Sequence, residues 1–192
     1  HIRENFNKFS KNKLKLSKDW FSHNIPVWHE TFIQNFKKDD KVSILEIGSF
    51  EGLSSVYFLS FFKNSKIQCV ETFEGSDEHS GYNFNDIKKR FSNNINLFKN
   101  RFDLYEGFSD SYFEKNKKLR KFDLIYVDGS HDYKDVLNDA INSFEVLNFG
   151  GIIIFDDFLR KFYKEIGQNP LKAILDFLSI YQKKIEIINV DY

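Results

Sequence analysis

The sequence of 192 residues has no methionine, a single cysteine and only two prolines. One cysteine excludes an internal disulfide and a zinc site built from cysteines. Because that residue, Cys69, lies inside an apolar run, we expect a buried thiol of the core. A chain of this length buries about two-thirds of the surface that its unfolded form exposes, so one domain folds without a disulfide or a structural metal.

An excess of charge of one sign is also lacking. Lys and Arg together number 28, as do Asp and Glu, so the formal net charge is zero. Binding to nucleic acid or to a charged membrane is therefore not expected as the main activity. No window approaches the roughly 20 apolar residues of a membrane span, and no charged-then-apolar start resembles a signal peptide. We expect a cytoplasmic protein with no nucleic-acid or membrane partner.

The sequence shows no internal repeat and no linker rich in Pro, Gly or Ser. The simplest division is an N-terminal arm, residues 1–20, followed by a single domain, residues 21–192. The arm mixes Lys and Asn with spaced Phe and Leu, which fits either a short docking helix or a loose segment. After it, Pro26 follows two residues that can cap a helix, Ser22 and Asn24, and predicts a helix start.

Short apolar runs then alternate with segments of helical period. The predicted strands are "KVSILEIG", "KIQCVETF", a weaker run at 97–105, "FDLIYVD", "GGIIIFDD" and a last one at "KIEIINV". This alternation predicts an α/β fold, a doubly wound and mostly parallel sheet covered on both faces. In such sheets ligands bind beyond the carboxyl ends of the strands, near the point where the strand order reverses. The polar residues that end each strand are therefore the candidates for a site.

The first predicted strand runs into the loop "LEIGSFEGLSS". Gly48 allows a sharp turn, and Gly52 allows a ligand close to the start of the next helix. Phe50 and Leu53 depart from the dinucleotide pattern G-x-G-x-x-G, and no G-K-[ST] of a phosphate loop follows. Glycines after a strand are also ordinary turn residues, so the loop alone leaves both interpretations open.

The second predicted strand ends in Glu71, at about the spacing that nucleoside-binding α/β folds use for an acidic residue. A carboxylate at that place accepts hydrogen bonds from both hydroxyls of a ribose. The alternative is an ordinary acidic residue at a strand end. Together with the glycine loop, Glu71 favours a nucleoside cofactor without a required phosphate.

Three aspartates end the fourth and fifth predicted strands. Asp128 ends one, Asp156 and Asp157 end the other, and the three should converge at one rim of the sheet. Like-charged carboxylates in proximity are costly unless a cation neutralises them or their pKa values rise. An all-oxygen set favours a hard ion such as Mg²⁺, Mn²⁺ or Ca²⁺ over zinc. The alternative is that Asp157 caps a turn and Asp128 touches only the cofactor.

The stretch "YVDGSHDYKDVLNDA" adds a histidine to this rim. A near-neutral imidazole at His131 suits a general base. The competing interpretation is structural, with Ser130 as the N-cap of a helix and His131 exposed beside it. We interpret His23, His29 and His79 as surface or packing residues, and His23 and His79 as less favoured candidates for substrate contact. Asp139, inside the predicted helix, is interpreted as solvated or salt-bridged.

Several of these segments, in this order, resemble one known family. The segments are "SHNIPVW", "LEIGSFEGLSS", "VETFEGSDEH", "EGFSDSYF", "YVDGSHDYKDVLNDA" and "GGIIIFDDF". Together they resemble the class I S-adenosylmethionine-dependent methyltransferases, and more closely the small bacterial enzymes related to catechol-type and macrocin-type O-methyltransferases. The resemblance covers about residues 20 to 190. It implies a Rossmann-like fold whose C-terminal hairpin would here be incomplete, because the sequence stops after the first of its two strands.

The resemblance also implies roles for individual residues. Cofactor contacts would come from the glycine loop, the second strand end, the segment "GFS" and the fourth strand end: Glu46, Gly48, Ser49, Gly52, Ser54, Glu71, Phe108, Ser109 and Asp128. Asp128, Asp156 and Asp157 would hold a divalent metal, as in relatives that depend on one. His131 would stand where catechol-type relatives carry their base, so Asp128 and His131 are the implied catalytic residues. Phe50 departs from the family, which usually has a second glycine there.

The function that follows is an S-adenosylmethionine-dependent O-methyltransferase that depends on a divalent metal. Its acceptor would be a hydroxyl of a small molecule, a sugar or a glycosylated metabolite. Two alternatives stay open, a metal-independent small-molecule methyltransferase and a non-catalytic module that binds S-adenosylmethionine. An unpaired sheet edge would favour a homodimer.

Overall fold

The computed structural model describes residues 1–37, 39–75, 81–116, 118 and 121–190. The helices in those ranges are α1 (Ile2–Lys13), α2 (Ile25–Asn35), α3 (Leu53–Phe61), α4 (Phe84–Ile95), α5 (Ser109–Asn116), α6 (Tyr133–Val146) and α7 (Pro170–Tyr181). The strands are β1 (Ser43–Ile47), β2 (Lys66–Glu71), β3 (Phe102–Glu106), β4 (Phe122–Val127) and β5 (Leu147–Phe155). Short 3₁₀ turns lie at Ser22–Asn24, Asn96–Phe98 and Ile166–Gln168.

The five strands form one sheet in the order β3-β2-β1-β4-β5, and every neighbouring pair is parallel. The chain moves outward from β1 to β2 and β3 and then returns to the other side of β1 with β4. The strand order therefore reverses between β1 and β4, which is where such sheets open a crevice for a ligand. The predicted doubly wound α/β fold is confirmed.

Both faces of the sheet are buried because successive side chains on each strand point to opposite sides. On β1, Ile44 packs with a core cluster that includes residues of α1 to α4, whereas its neighbour Leu45 packs with residues of α5 and α6. A smaller cluster joins α6 to α7. Much of the phenylalanine content fills the first cluster, where Phe32, Phe58 and Phe62 are fully buried.

The N-terminal segment is a docked helix rather than a loose arm. Phe6 of α1 and Leu14 after it are buried in the first core cluster. Asn94 of α4 clamps the chain that follows, since its side chain accepts from the Lys15 amide at 2.8 Å and donates to the Lys15 carbonyl at 3.0 Å and the Glu51 carbonyl at 2.8 Å. The Ser17 amide also donates to the buried Glu51 carboxylate at 2.7 Å.

Two sequence-based expectations are wrong in detail. Helix α2 starts as expected beside Pro26, and Asn24 occupies the predicted N-cap position, but its side chain makes no cap hydrogen bond and reaches Asp156 instead, while Ser22 bonds to Asp19. The segment "KIEIINV" does not form a strand in its described part, residues 184–190. A strand requires a ladder partner, and this segment has no pairing partner in the described sheet, so Ile187 and Ile188 stay exposed.

None of the helices within the described ranges combines the length and the apolar character that a membrane crossing demands.

We expect the Asn94 clamp to contribute measurably to stability. The Asn94→Ala substitution removes three hydrogen bonds and leaves main-chain groups of Lys15 and Glu51 without these partners. We expect it to lower the free energy of unfolding by about 2–4 kcal/mol. Urea denaturation measures this loss. The matched control is Asn93→Ala, one position earlier on the exposed side of α4. An equal effect of the two substitutions would contradict the clamp.

Candidate active site

The site lies where β1 and β4 end, and one glycine brings the two strand ends together. Gly48 follows β1 with φ +83°, and a Cβ at this position would lie 2.0 Å from the carbonyl oxygen of Asp128. The Asp128 amide in turn donates to the Ile47 carbonyl at 2.8 Å. Only glycine therefore allows the loop after β1 to cross the exit of β4 at this distance.

A cavity of about 690 Å³ opens at this crossing, a volume typical of sites for small molecules and cofactors. Most of the predicted site residues line it: Gly48, Ser49, Ser54, Glu71, Phe108, Ser109, Asp128, His131, Asp156 and Asp157. Its far wall comes from the N-terminal segment, with Lys18, Trp20 and His23. The structure thus brings together residues from the ends of β1, β2, β4 and β5, and Phe108 and Ser109 from the loop after β3.

Glu46 and Gly52 do not line the cavity. The Glu46 carboxylate lies fully buried beneath the glycine loop, where it accepts from the Ser49 hydroxyl at 2.6 Å, the Ser54 hydroxyl at 2.5 Å and the Ser55 hydroxyl. Burial raises the pKa of Glu46, and these hydrogen bonds oppose the shift. Its position ties the loop to the first turn of α3. It is therefore placed behind the cavity wall, and its predicted contact with a cofactor stays a prediction.

Gly52 lies at the start of α3. It occupies the N-cap position with φ +80°, and a Cβ there would lie 3.1 Å from the ring of Phe91. The left-handed backbone and the close aromatic ring explain the glycine.

Glu71 holds the glycine loop from the neighbouring strand. One of its carboxylate oxygens, Oε2, accepts from the Ser49 and Phe50 amides, both at 2.8 Å, and the other, Oε1, accepts from the Phe73 amide at 2.9 Å. A carboxylate offers about four acceptor positions, so one position on Oε1 stays open beside the cavity.

Phe50 has a left-handed backbone conformation, which glycine adopts more readily than other residues. Its φ is +46°, in the left-handed region that costs a non-glycine residue free energy. Its ring packs on Trp20 at 4.9 Å and on Tyr82 at 5.6 Å between centroids. We infer that these contacts offset the strain.

Phe108 projects at the rim with 61% of its surface exposed, which is high for an aromatic side chain. It precedes Ser109, the first residue of α5, and follows Gly107, whose amide donates to the Glu71 carbonyl at 3.0 Å. An exposed ring beside a cavity offers a stacking surface for a planar group such as a nucleobase.

The aspartates converge at the other end of the cavity, as predicted. The hydroxyl oxygen of Tyr126 bridges two of them, lying 2.8 Å from Asp128 Oδ2 and still closer to Asp156 Oδ2. Asn24 Nδ2 also donates to Asp156 Oδ2 at 3.3 Å, and the Asp157 amide donates to Asp156 Oδ1 at 2.8 Å. Asp156 therefore accepts two hydrogen bonds on Oδ2 and one on Oδ1.

His131 is positioned by two contacts. Its Nε2 lies 3.1 Å from Asp157 Oδ2, and its ring stacks in parallel on Phe162 at 3.8 Å. Ligand atoms of Asp128, His131 and Asp157 lie within 4.8 Å of one another, a grouping that can hold a metal ion. This set differs from the predicted Asp128, Asp156 and Asp157, because an imidazole takes the place of one carboxylate.

The pKa shifts of Asp128 and Asp157 have opposite directions. Burial and the charges of Asp156 and Asp157 raise the pKa of Asp128 well above its usual range, with the Tyr126 hydrogen bond opposing the shift. Burial also acts to raise the pKa of Asp157, but the hydrogen bond and charge of His131 and the charge of Arg160 outweigh it and the pKa is lowered. Asp157 thus stays ionised beside His131, and Asp128 bears the unfavourable part of the like-charge cluster.

The start of α6 corrects the predicted cap. Asp132, not Ser130, is the N-cap, and its side chain accepts from the Lys134 amide at 2.9 Å. Ser130 instead accepts from the Asp132 amide at 3.2 Å. His131 therefore lies before the helix, in the loop that carries Asp128, and is not simply an exposed residue of its first turn.

Asp139 was expected to be solvated or salt-bridged, and that expectation is wrong. It is 3% exposed and lines the cavity from α6. Burial raises its pKa to about 7, a hydrogen bond from Ser109 opposes the shift, and the charges of Asp110 and Asp135 add to it. The helical period places Asp139 on the inward face of α6 with Val136 and Ala140. The sequence-based interpretation missed this because an acidic side chain is usually exposed.

Other site residues escaped the sequence interpretation. Tyr126 lies two positions before Asp128 on β4, so the period of a strand places the two side chains on one face. Asn24 carries no local signal, because its contact with Asp156 spans 132 positions of sequence. Among the other histidines, His23 lines the cavity, His29 does not, and His79 lies outside the described residues.

Comparison with known proteins assigns the chain to a family. The sequence profile of a family described as "Methyltransferase domain" matches residues 45–158, more than half of the chain. An uncharacterised protein of Acanthamoeba polyphaga mimivirus is 26% identical over 131 residues, which are 67% of this chain and 57% of that protein. The match thus spans little more than half of the relative's length.

Solved structures share the fold at low identity. An O-methyltransferase from Bacillus cereus, in complex with SAH, is 16% identical with a TM-score of 0.62 over 95% of this chain and 79% of that chain. The MycE methyltransferase of the mycinamycin pathway, in complex with Mg, SAH and mycinamycin VI, is 15% identical with a TM-score of 0.64 over 95% of this chain and 47% of that chain. A putative caffeoyl-CoA O-methyltransferase from Staphylococcus aureus is 19% identical with a TM-score of 0.58 over 95% and 81%.

The chain belongs to the methyltransferase-domain family. Its resemblance to class I methyltransferases is confirmed by this match and by the shared Rossmann-like fold.

The raised pKa of Asp139 predicts a pH-dependent cost of stability. The unfolded chain ionises this carboxyl near its ordinary pKa of about 4, whereas the folded chain keeps the proton up to about pH 7, so stability from this group falls as pH rises between those values. We expect Asp139→Asn to match the original chain near pH 4 and to exceed its unfolding free energy by up to about 4 kcal/mol above pH 7.

Denaturant unfolding across pH 4 to 8 measures this difference. The control is Asp135→Asn, an exposed position in the first turn of the same helix, which should change stability by less than about 1 kcal/mol. A difference between Asp139→Asn and the original chain that does not grow with pH would contradict the assignment.

Proposed function

We propose that this chain is an S-adenosylmethionine-dependent O-methyltransferase acting on a hydroxyl of a small molecule. The observation that carries the proposal is Glu71. Its carboxylate ends β2 beside the reversal of strand order, holds the glycine loop, and keeps an open acceptor position toward the cavity. Family membership supports methyl transfer as the chemistry.

Side chains along the cavity wall can contact each part of a nucleoside cofactor. Glu71 offers its open Oε1 position to a ribose hydroxyl, while the loop amides stay bonded to Oε2. Phe108 offers a ring face and Ser109 a hydroxyl to the adenine end. Ser49 and Ser54, at the cavity wall and anchored on Glu46, face the methionine end.

Bound S-adenosylmethionine would supply an electrophilic methyl group on its sulfonium. The chain's own contribution is to align an acceptor oxygen with that group and to remove its proton, and alignment alone lowers a barrier by up to about 7–11 kcal/mol. Trp20, Phe21 and His23 line the cavity from the N-terminal segment, so this segment would help to exclude water and to shape the acceptor pocket. We propose a sugar or a glycosylated metabolite as the acceptor, supported by the shared fold with MycE.

Two ways of activating the hydroxyl fit the rim of aspartates. In the first, carboxylates of the rim hold a divalent cation, which would lower the pKa of a bound hydroxyl and fix its direction. In the second, which is metal-independent, His131 takes the proton and Asp157 orients its ring, as the 3.1 Å contact between them allows. We favour the first, because the grouped ligand atoms at the rim and the raised pKa of Asp128 both fit a site that a cation would stabilise.

The alternative function is a module that binds the cofactor without catalysing a reaction. It would keep the Glu71 site and show no methyl transfer with any acceptor.

A homodimer stays a proposal as well, supported by the outer edge of β5, which pairs with no strand in the described part of the chain and carries the fully exposed Phe149.

The nucleoside site is tested by titrating S-adenosylhomocysteine calorimetrically. We expect Glu71→Gln to weaken binding by about 10–100-fold, since the loss of a charge-assisted hydrogen bond is worth about 1.5–3 kcal/mol. The matched control is Glu106→Gln, the register partner of Glu71 on β3, which lies outside the cavity and should stay within about threefold. Equal losses in both variants, or no binding by the original chain, would refute the site.

The cation is tested by measuring methyl transfer across polyols and glycosides before and after metal removal. We expect EDTA followed by desalting to lower turnover by about 100-fold or more, and a divalent ion to restore it, because the cation supplies the hydroxyl activation. Asp157→Asn should show the same loss without restoration. Full activity in EDTA would leave His131 as the base and remove the metal from the proposal.

A further inference from the structure

We propose that Lys18, in the segment between α1 and α2, binds the carboxylate of the cofactor's amino-acid part and makes the cavity selective for nucleosides that carry an amino acid. The inference rests on the proposed function, because it names a contact for S-adenosylmethionine in the same cavity. Lys18 lies before residues 45–158, the range that the family profile matches, so membership of the family assigns it no role.

Lys18 is held against the glycine loop by its neighbours in sequence. The amide of Ser17 donates to the Glu51 carboxylate at 2.7 Å. The ring of Trp20 packs on the ring of Phe50 at 4.9 Å between centroids. Phe50 and Glu51 both belong to the loop after β1, so contacts on either side of Lys18 hold it beside that loop. This is the end of the cavity where Ser49 and Ser54 would face the methionine part of the cofactor.

The ammonium group of Lys18 lies at the cavity wall. Its Nζ is 4.8 Å from the centroid of the Trp20 ring, within the range of a cation–π contact, and the residue lines the cavity. An ammonium has three hydrogen-bond donors on a flexible stem, so a contact with one ring face is compatible with a carboxylate bound on another side. The Trp20 ring, itself supported by Phe50, therefore keeps a positive charge next to the glycine loop.

The charges around the cavity single out this lysine. Acidic side chains line the cavity at the ends of β2, β4 and β5 and on α5 and α6, whereas Lys and Arg contribute only Lys18 and Arg160 to its described wall. The Arg160 guanidinium lies 3.4 Å from Asp157 Oδ1, and Glu51 of the glycine loop is paired with Arg90 at 2.7 Å. Lys18 forms no ion pair with an acidic residue of the described ranges. Its charge is therefore available to an anionic group of a ligand.

The amino-acid part of S-adenosylmethionine carries such a group. It ends in an ammonium and a carboxylate, and an acidic wall attracts the ammonium but repels the carboxylate. A carboxylate that leaves water for a cavity of this kind needs a cation to offset the cost of desolvation. Lys18 meets that need at the methionine end. A nucleoside without a carboxylate gains nothing from it, so the lysine distinguishes between nucleosides by their charge.

Calorimetry with two nucleosides on the full chain isolates the contact. One is S-adenosylhomocysteine, and the other is its decarboxylated form, which has hydrogen in place of the carboxylate and keeps the amine. We expect the original chain to bind S-adenosylhomocysteine about 5–20-fold more tightly, between the effect of an exposed ion pair and that of a buried charge-assisted hydrogen bond. Lys18→Gln should reduce this preference to less than about twofold by weakening the binding of S-adenosylhomocysteine alone.

Two further variants and a change of salt separate charge from structure. Lys18→Arg keeps the cation and should restore a preference above about threefold. The matched control is Lys13→Gln, an exposed lysine in the last turn of α1 that does not line the cavity, which should leave the preference unchanged. Raising the salt concentration from about 0.1 to 1 M shortens the Debye length to about 3 Å and should reduce the preference of the original chain but not of Lys18→Gln.

The outcomes also distinguish this contact from the proposed function. A preference that survives in Lys18→Gln, equal losses for both nucleosides in that variant, or a preference that depends on Arg160 in Arg160→Gln instead would overturn the assignment of Lys18. In each of these cases both nucleosides still bind the original chain and the nucleoside site stands. Failure of the original chain to bind either nucleoside would overturn the proposed function, and the lysine contact with it.

Discussion

The close crossing of Gly48 over the exit of β4 is the constraint on which the rest of the site depends. A side chain at this position would lie 2.0 Å from the Asp128 carbonyl oxygen, so the crossing exists only because residue 48 is glycine. It sits where the strand order reverses, and it therefore fixes how the glycine loop and the aspartates face each other across one cavity.

Two acidic residues divide the work of holding that loop. Glu46 binds it from below through serine hydroxyls in the dry interior, and Glu71 binds it from the side through main-chain amides at the cavity. This double anchoring explains how Phe50 persists with φ +46° in a position that usually favours glycine. The strain is stored in a loop that the surrounding contacts over-determine, as is common at functional sites.

The sequence predicted what depends on local period and on strand ends. Alternating apolar runs identified β1, β2, β4 and β5, and parallel pairing then placed Glu71, Asp128 and Asp157 at one rim. It could not predict contacts made by packing. The burial of Asp139, the reach of Asn24 to Asp156 and the pairing of His131 with Asp157 depend on distant segments, and "KIEIINV" has strand propensity without a partner strand. Propensity is a preference, whereas burial and pairing are set by the assembled fold.

The central claim is that the cavity at this crossing binds the nucleoside of S-adenosylmethionine. The most direct measurement is a crystal structure of the chain with S-adenosylhomocysteine. The account predicts the ribose hydroxyls on Glu71, the adenine against Phe108 and Ser109, and the homocysteine sulfur facing the rim of Asp128. Density for the ligand elsewhere, or a ribose that makes no contact with Glu71 while the cavity stays open, would contradict it.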